Sequence, residues 1–133
     1  MQYQSEKGEW AAIRRLMLSA DLTTKQGRNV LFRELERREP IKPYNRMRLA
    51  EMLTRKVAAD ILLKIIERGF GQGERHPLLD YQRVYALWVL GRKGLALKEG
   101  KKAAETWKFS ANIAIVGLYL HLYRTSGKRQ RLG

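Results

Sequence analysis

The sequence predicts an all-α protein: a single compact bundle of five or six helices with a helix-turn-helix-like C-terminal part. Three observations predict it. Apolar residues recur at three- and four-residue spacing along nearly the whole chain. Ser, Thr, Asn, Pro and Gly punctuate that pattern where helices start and stop. No alternating strand pair, internal repeat or low-complexity tract interrupts it. The 133 residues suit one domain, and the 44% apolar content suffices for a core without disulfides or structural metal.

The first helix is expected over Glu9 to Ala20, with Trp10, Ile13, Leu16, Met17 and Ala20 on one face and Arg14 and Arg15 off it. Asp21 to Thr24 breaks it. Thr23 and Gln26 have capping-box spacing and start a second helix, which carries Val30, Leu31, Phe32 and Leu35. That helix should stop before Pro40, because proline disfavours helix at the residue ahead of it. Pro40 to Tyr44 is a stiff connector, and Pro40 to Asn45 is the candidate boundary between an N-terminal hairpin (1–39) and the core helices (45–124) of one domain. Asn45 is placed to cap the third helix. Leu49, Leu53, Val57, Ile61 and Ile65 then recur every four residues, which predicts one continuous central helix running to Gly69.

Gly69 to Gly73 reads as a helix end and turn. Pro77 suits the first turn of a fourth helix, made apolar by Tyr81, Val84, Tyr85, Leu87, Trp88 and Leu90. Gly91 to Gly94 closes it. A shorter helix is expected over Leu97 to Trp107. Ser110 is placed to cap a last one, Ala111 to Arg124, ahead of a basic tail (125–133).

Charge narrows the function. Lys and Arg number 27 against 13 Asp and Glu, a net charge of +14. Such an excess repels itself unless a polyanion relieves it, and nucleic acid is the commonest one. An anionic membrane comes next, but the longest nearly uncharged run, Phe109 to Tyr123, falls short of the ~20 residues of a span. Residues 1–9 are polar and show no secretory signal. There is no cysteine, which excludes disulfides and Cys-based metal sites. A cytoplasmic protein is expected, with no membrane partner.

The titratable residues point away from catalysis. His76 and His121 are far apart in sequence, the first in a polar loop and the second in an apolar helix. Glu34, Glu36 and Glu39 interleave with Arg33, Arg37 and Arg38. Glu34 with Arg38, and Glu36 with Arg33, have helical salt-bridge spacing, so a solvated, self-neutralised face is expected. Gly69-Phe70-Gly71-Gln72-Gly73 follows a helix and lacks dinucleotide spacing. Gly94 to Lys102 has five residues between its glycines and a lysine where a P-loop needs Ser or Thr. No enzyme, cofactor or metal is expected. Convergence of carboxylates such as Asp60, Glu67 and Asp80 would be the sign of one.

The expected nucleic-acid contacts lie mainly in the last third. Lys98, Lys101, Lys102, Lys108, Arg124, Lys128, Arg129 and Arg131 face only Glu99 and Glu105. Lys98, Lys101 and Lys102 share a helical face that a phosphate strand could follow, with the tail as a second clamp. A second cluster, Arg46 and Arg48 with Arg55 and Lys56, surrounds the expected start of helix three, where unpaired amides attract phosphate. Arg14 and Arg15 add to it. Trp10 and Trp88 fall on apolar faces and read as core, whereas Trp107 and Phe109 flank Lys108 at a helix break.

Leu97 to Arg124 resembles a helix-turn-helix of bacterial and phage transcription regulators. Ala104 takes the small position of the first helix, Trp107 and Phe109 pack around the turn, and Ser110-Ala111-Asn112 opens the second helix. The resemblance implies a DNA-binding regulator in which Asn112 reads adenine. Lys108 stands where a turn glycine is usual, and Ile115, Val116, Leu118 and Tyr119 leave the second helix apolar nearly all round. Three other stretches are Thr23-Thr24-Lys25-Gln26-Gly27-Arg28, Tyr85-Ala86 through Gly91-Arg92, and Tyr119 to Arg124. Together they resemble small subunits of type III CRISPR effector complexes, which implies an RNA-binding ribonucleoprotein subunit. An apolar last helix also suits a protein partner, a homo-oligomer or a helical adaptor.

Overall fold

The computed structural model describes residues 5–56, 58–107, 121 and 124. Among them every regular element is helical, as expected: α1 (Glu6–Ser19), α2 (Lys25–Glu36), α3 (Pro43–Arg55), α4 (Ala59–Gly71), α5 (Pro77–Val89) and α6 (Lys93–Thr106). The chain forms two compact units, Met1–Glu74 and Arg75–Gly133. The Pro40 to Asn45 connector lies inside the first.

In the first unit, α1 begins where Ser5 Oγ accepts the Gly8 amide at 3.0 Å. Thr24, one residue after the expected cap, starts α2 by accepting the Gly27 amide at 3.0 Å. A Cβ on Gly27 would sit 1.9 Å from the Asp21 carbonyl oxygen, so the turn between α1 and α2 closes only around glycine. Pro43 opens α3 with Lys42 as the flanking residue. Asn45 is therefore not a cap. It is buried, and its amide donates to the Glu6 carbonyl at 2.8 Å and to Glu9 Oε1 at 2.9 Å. The same Glu9 oxygen accepts the Lys42 amide at 2.9 Å. These bonds pin the start of α1 to the start of α3.

The expected continuous helix from 45 to 69 is two helices. A straight helix of that length would extend about 37 Å and leave much of its apolar surface uncovered. Folding back after Arg55 lets α4 pack antiparallel on α3. Leu49 and Leu53 then share a core with Ile61, Leu62, Ile65 and Ile66, all at most 2% exposed. Tertiary burial thus overrides a local pattern that would continue the helix. Asp60 marks the new start by accepting the Ile61 amide at 2.9 Å, and the bifurcated hydrogen bond from Arg28 Nε to its two oxygens anchors it to α2. Ile13, Met17, Leu31, Leu35 and Ile41 complete the buried interior of this unit.

In the second unit, His76 Nδ1 accepts the Leu78 amide at 3.1 Å, and Pro77 follows at the first position of α5. Helix α5 ends at Val89, and the turn after it is made at Gly91, whose φ of +83° favours glycine. There the Arg92 amide reaches back to the Leu87 carbonyl at 2.9 Å and the Gly91 amide to that of Trp88 at 3.0 Å, which satisfies two carbonyls at the end of α5. Helix α6 begins at Lys93, four residues before its apolar period becomes readable at Leu97. It presents small buried residues, Ala96, Gly100 and Ala103, with Leu97, and packs antiparallel on α5. The indole Nε1 of Trp107 donates to Asp80 Oδ2 at 2.6 Å and ties the end of α6 to the first turn of α5. No helix among the described residues is long and apolar enough to cross a membrane.

Candidate nucleic-acid interface

The sequence-predicted cations meet three different fates. Lys98, Lys101 and Lys102 are exposed on the outer side of α6, opposite the Ala96, Leu97, Gly100 and Ala103 stripe that α5 covers. Lys98 and Lys102 are one turn apart, about 6 Å along the helix axis, with Lys101 between them. Arg124 is helical and exposed. Lys108, Asn112, Lys128, Arg129 and Arg131 lie outside the described residues, as does the expected second helix of the helix-turn-helix.

What surrounds the lysines matters as much as the lysines themselves. The second unit carries twelve Lys and Arg against three Asp and Glu. Asp80 takes the Trp107 indole and lies 3.7 Å from Arg75, and Glu99 lies 3.8 Å from Arg83. Two of its three carboxylates are thus turned to partners within the α5–α6 hairpin. Glu105 remains on the lysine face, and no ion pair joins it to Lys98, Lys101 or Lys102 among the described residues. Arg92 and Lys93 extend the basic surface to the start of α6. Sequence reading missed both, because it took Gly91 to Gly94 as loop. Lys93 lies 5.3 Å from the centre of the Trp88 ring.

Arg46 leaves the candidate set. It is fully buried, and its guanidinium is spent inside the first unit. Nε meets both oxygens of Glu74 at 3.0 Å, Nη1 donates to Glu39 Oε2 at 2.9 Å and to the Ile65 carbonyl at 3.0 Å, and Nη2 donates to Glu39 Oε1 at 2.6 Å. A phosphate could reach it only by displacing two carboxylates. Gly69 makes the room, since a Cβ there would lie 2.6 Å from Arg46 Cδ. Glu39 is correspondingly not part of a solvated face. Burial pushes its carboxyl up, but hydrogen bonds from Arg46 and the Ile41 amide, with the Arg46 charge, outweigh burial and hold it below the usual carboxylate range. The neighbouring pairs also differ from the expected ones: Glu34 bonds Arg37, and Glu36 bonds Arg68 of α4.

Arg48 keeps its place near a surface in a different setting. Its guanidinium carbon lies 4.1 Å from the Trp10 ring centre and 5.5 Å from that of Tyr44. Trp10, expected in the core, is half-buried with its ring under that guanidinium. Arg14 and Arg15 are exposed on α1, and Arg55 and Lys56 are exposed at the end of α3, where Arg55 pairs with Glu51.

The remaining chemistry is sparse. No group of three or more His, Asp or Glu is placed to hold a metal among the described residues. Asp60 and Asp80 serve Arg28 and Trp107 instead of converging. His76 is a helix cap and His121 is exposed. A groove of about 370 Å³ between α1 and α2 is lined by Leu16, Ala20, Val30 and Leu31 with Asp21 and Glu34. It brings together no acid–base pair and no nucleophile with a base. The chain matches no family model, no curated protein and no solved structure.

Proposed function

We propose that the protein binds nucleic acid without catalysing a reaction, gripping phosphates with the outer face of α6. One observation carries this reading. Two of the three carboxylates of the second unit, Asp80 and Glu99, are used inside the α5–α6 hairpin, whereas Lys98, Lys101 and Lys102 stand exposed with Glu105 alone beside them. A cationic face left unmatched costs self-repulsion, and a phosphate backbone removes that cost by releasing its own counterions. Arg92, Lys93 and Arg124 are further contacts of the same kind.

The more specific form of the proposal is a DNA-binding transcription regulator of bacterial or phage type. There α6 would be the first helix of the helix-turn-helix, and Asn112 in the second would read bases. A second form, an RNA-binding subunit of a ribonucleoprotein, is favoured by the aromatic–guanidinium stack on α1 and α3, which suits unpaired bases better than a duplex.

The test is fluorescence anisotropy with matched duplex DNA, single-stranded DNA and structured RNA across a salt series. The double variant Lys101→Glu, Lys102→Glu should weaken binding to every sequence alike. It should also reduce the slope of log affinity against log salt by about two, roughly one per lost phosphate contact. Unchanged affinity would remove the α6 face from the site. Tight duplex binding with sequence preference supports the regulator, and preference for RNA supports the ribonucleoprotein subunit. No binding at low salt overturns the proposal and leaves protein docking as the remaining role.

A further inference from the structure

The first unit carries a second feature that phosphate binding by α6 does not use. Five of its arginines are held by carboxylates: Arg28 by Asp60, Arg37 by Glu34, Arg46 by Glu39 and Glu74, Arg55 by Glu51 and Arg68 by Glu36. Arg48 is held by rings. Its planar guanidinium lies over Trp10 of α1 and beside Tyr44 of its own helix, one turn earlier. Among the described residues no carboxylate bridges it. Glu51, one turn further along α3, is engaged by Arg55 at 2.5 Å.

A cation–π stack that only fastened two helices would gain most from being covered, because desolvation strengthens it. This one lies open. Tyr44 is 55% exposed, second only to Leu18 among the large apolar side chains of the described residues. On α1, Lys7 and Arg14 are exposed three residues before and four residues after Trp10, so cations flank the stack along one side of that helix. Exposed ring, planar guanidinium and flanking cations are what an unpaired nucleotide needs: a π-face for the base and positive charge for its phosphates. A duplex keeps its bases stacked on each other and cannot use such a surface.

We infer that Tyr44 and Arg48, backed by Trp10, form a stacking site for an unpaired nucleobase. The inference rests on the nucleic-acid reading above and adds the class of strand. It is single-stranded, and it is held through its bases as well as its backbone.

Anisotropy on the full chain separates the two. The probes are a short oligothymidine, its oligouridine counterpart, and the same deoxyribose-phosphate backbone with every base removed. The based strands should bind at least about fivefold more tightly than the abasic one at equal salt, the order of one stacked base. Tyr44→Ala should erase that difference and leave abasic binding unchanged, while Tyr44→Phe should retain it. Arg48→Lys, which keeps the charge and loses the plane, should lose most of it. The Lys101→Glu, Lys102→Glu variant should weaken based and abasic strands in parallel. Equal binding of based and abasic strands by the wild type would overturn the stacking site and spare the phosphate site. So would a parallel loss on both in Tyr44→Ala. Base-dependent binding with no abasic binding at any salt would overturn the phosphate reading and support the stacking site. Silence with all three probes would overturn both.

Discussion

Met1–Glu74 and Arg75–Gly133 are built from helices of similar length, yet they treat charge in opposite ways. The first unit has fifteen Lys and Arg against ten Asp and Glu, and the second twelve against three. The first spends its acids on structure: Arg46 is sealed between Glu39 and Glu74, and Asp60 holds Arg28. The second is joined by the Gly91 turn, a small-residue stripe and the Trp107–Asp80 hydrogen bond, and Lys98, Lys101 and Lys102 are left to solvent. Counting charges alone would have called both units basic. Partners decide which arginine or lysine is part of the fold and which is available to a ligand.

Stability measurements test that contrast, and the largest effect belongs to the sealed arginine. Arg46→Ala should destabilise the first unit by about 3 kcal/mol, because it strands two carboxylates whose side chains are only 10% exposed. Urea unfolding followed by circular dichroism would read it. Replacing the trio together, Arg46→Met with Glu39→Gln and Glu74→Gln, should recover most of the loss, since it removes the stranded charges. An Arg46→Ala protein as stable as the wild type would mean that the arginine is not sealed, and would return it to the candidate surface.

Acid should act on the same trio. Glu39 titrates below its unfolded value, so its contribution is complete above the ordinary carboxylate range near ~4.3. It is lost as pH falls through the lower folded value. Stability should therefore drop on acidification below about pH 4, and Glu39→Gln should flatten that drop. A drop of equal size in the variant would assign it to other carboxylates.

Much of the fold was legible because it is local. Helical periodicity, Pro77 at a helix start and the Gly91 turn all announce themselves within a few residues, whereas Pro43, which opens α3, reads as part of a connector. What was not legible depends on distance along the chain. Nothing near Arg46 marks it as buried: its partners lie seven residues before and 28 after, and Gly69, which clears its path, lies in a third segment. The α3–α4 break was hidden for the same reason, since Leu49 to Ile65 keep helical spacing straight through it. The α6 lysines were readable because one helix carries both their period and the small-residue face opposite. The Arg48 stack was only half readable. Trp10 and Arg48 were both singled out, but nothing in their separation of 38 positions brings them together.

Smaller effects are expected in the second unit. Trp107→Phe keeps an aromatic ring and removes the donor to Asp80, which is partly buried. A loss of about 1–2 kcal/mol should follow, below the range for a fully desolvated charged hydrogen bond. Asp80→Asn should cost less than Trp107→Phe, because the amide oxygen can still accept the indole proton. If both cost the same, it is the carboxylate charge, shared with Arg75, that holds this end of the hairpin.

The smallest effect carries the most information through its sign. If Lys98, Lys101 and Lys102 were part of the fold, neutralising them would cost stability. If they are held apart for a polyanion, they repel one another and the rest of a unit that has nine more basic than acidic residues. The triple variant Lys98→Gln, Lys101→Gln, Lys102→Gln should then be more stable than the wild type, by up to about 0.5 kcal/mol, the range expected for exposed helix positions. The gain should shrink as salt is raised, because screening relieves the same repulsion in the wild type. Thermal unfolding at low and high salt reads both. A loss of stability that persists at high salt would mean that the lysine stems pack against the hairpin, making the face structural. A gain at low salt that vanishes at high salt would mean that the wild type carries a small, screenable strain on this face, as a surface kept for phosphate should.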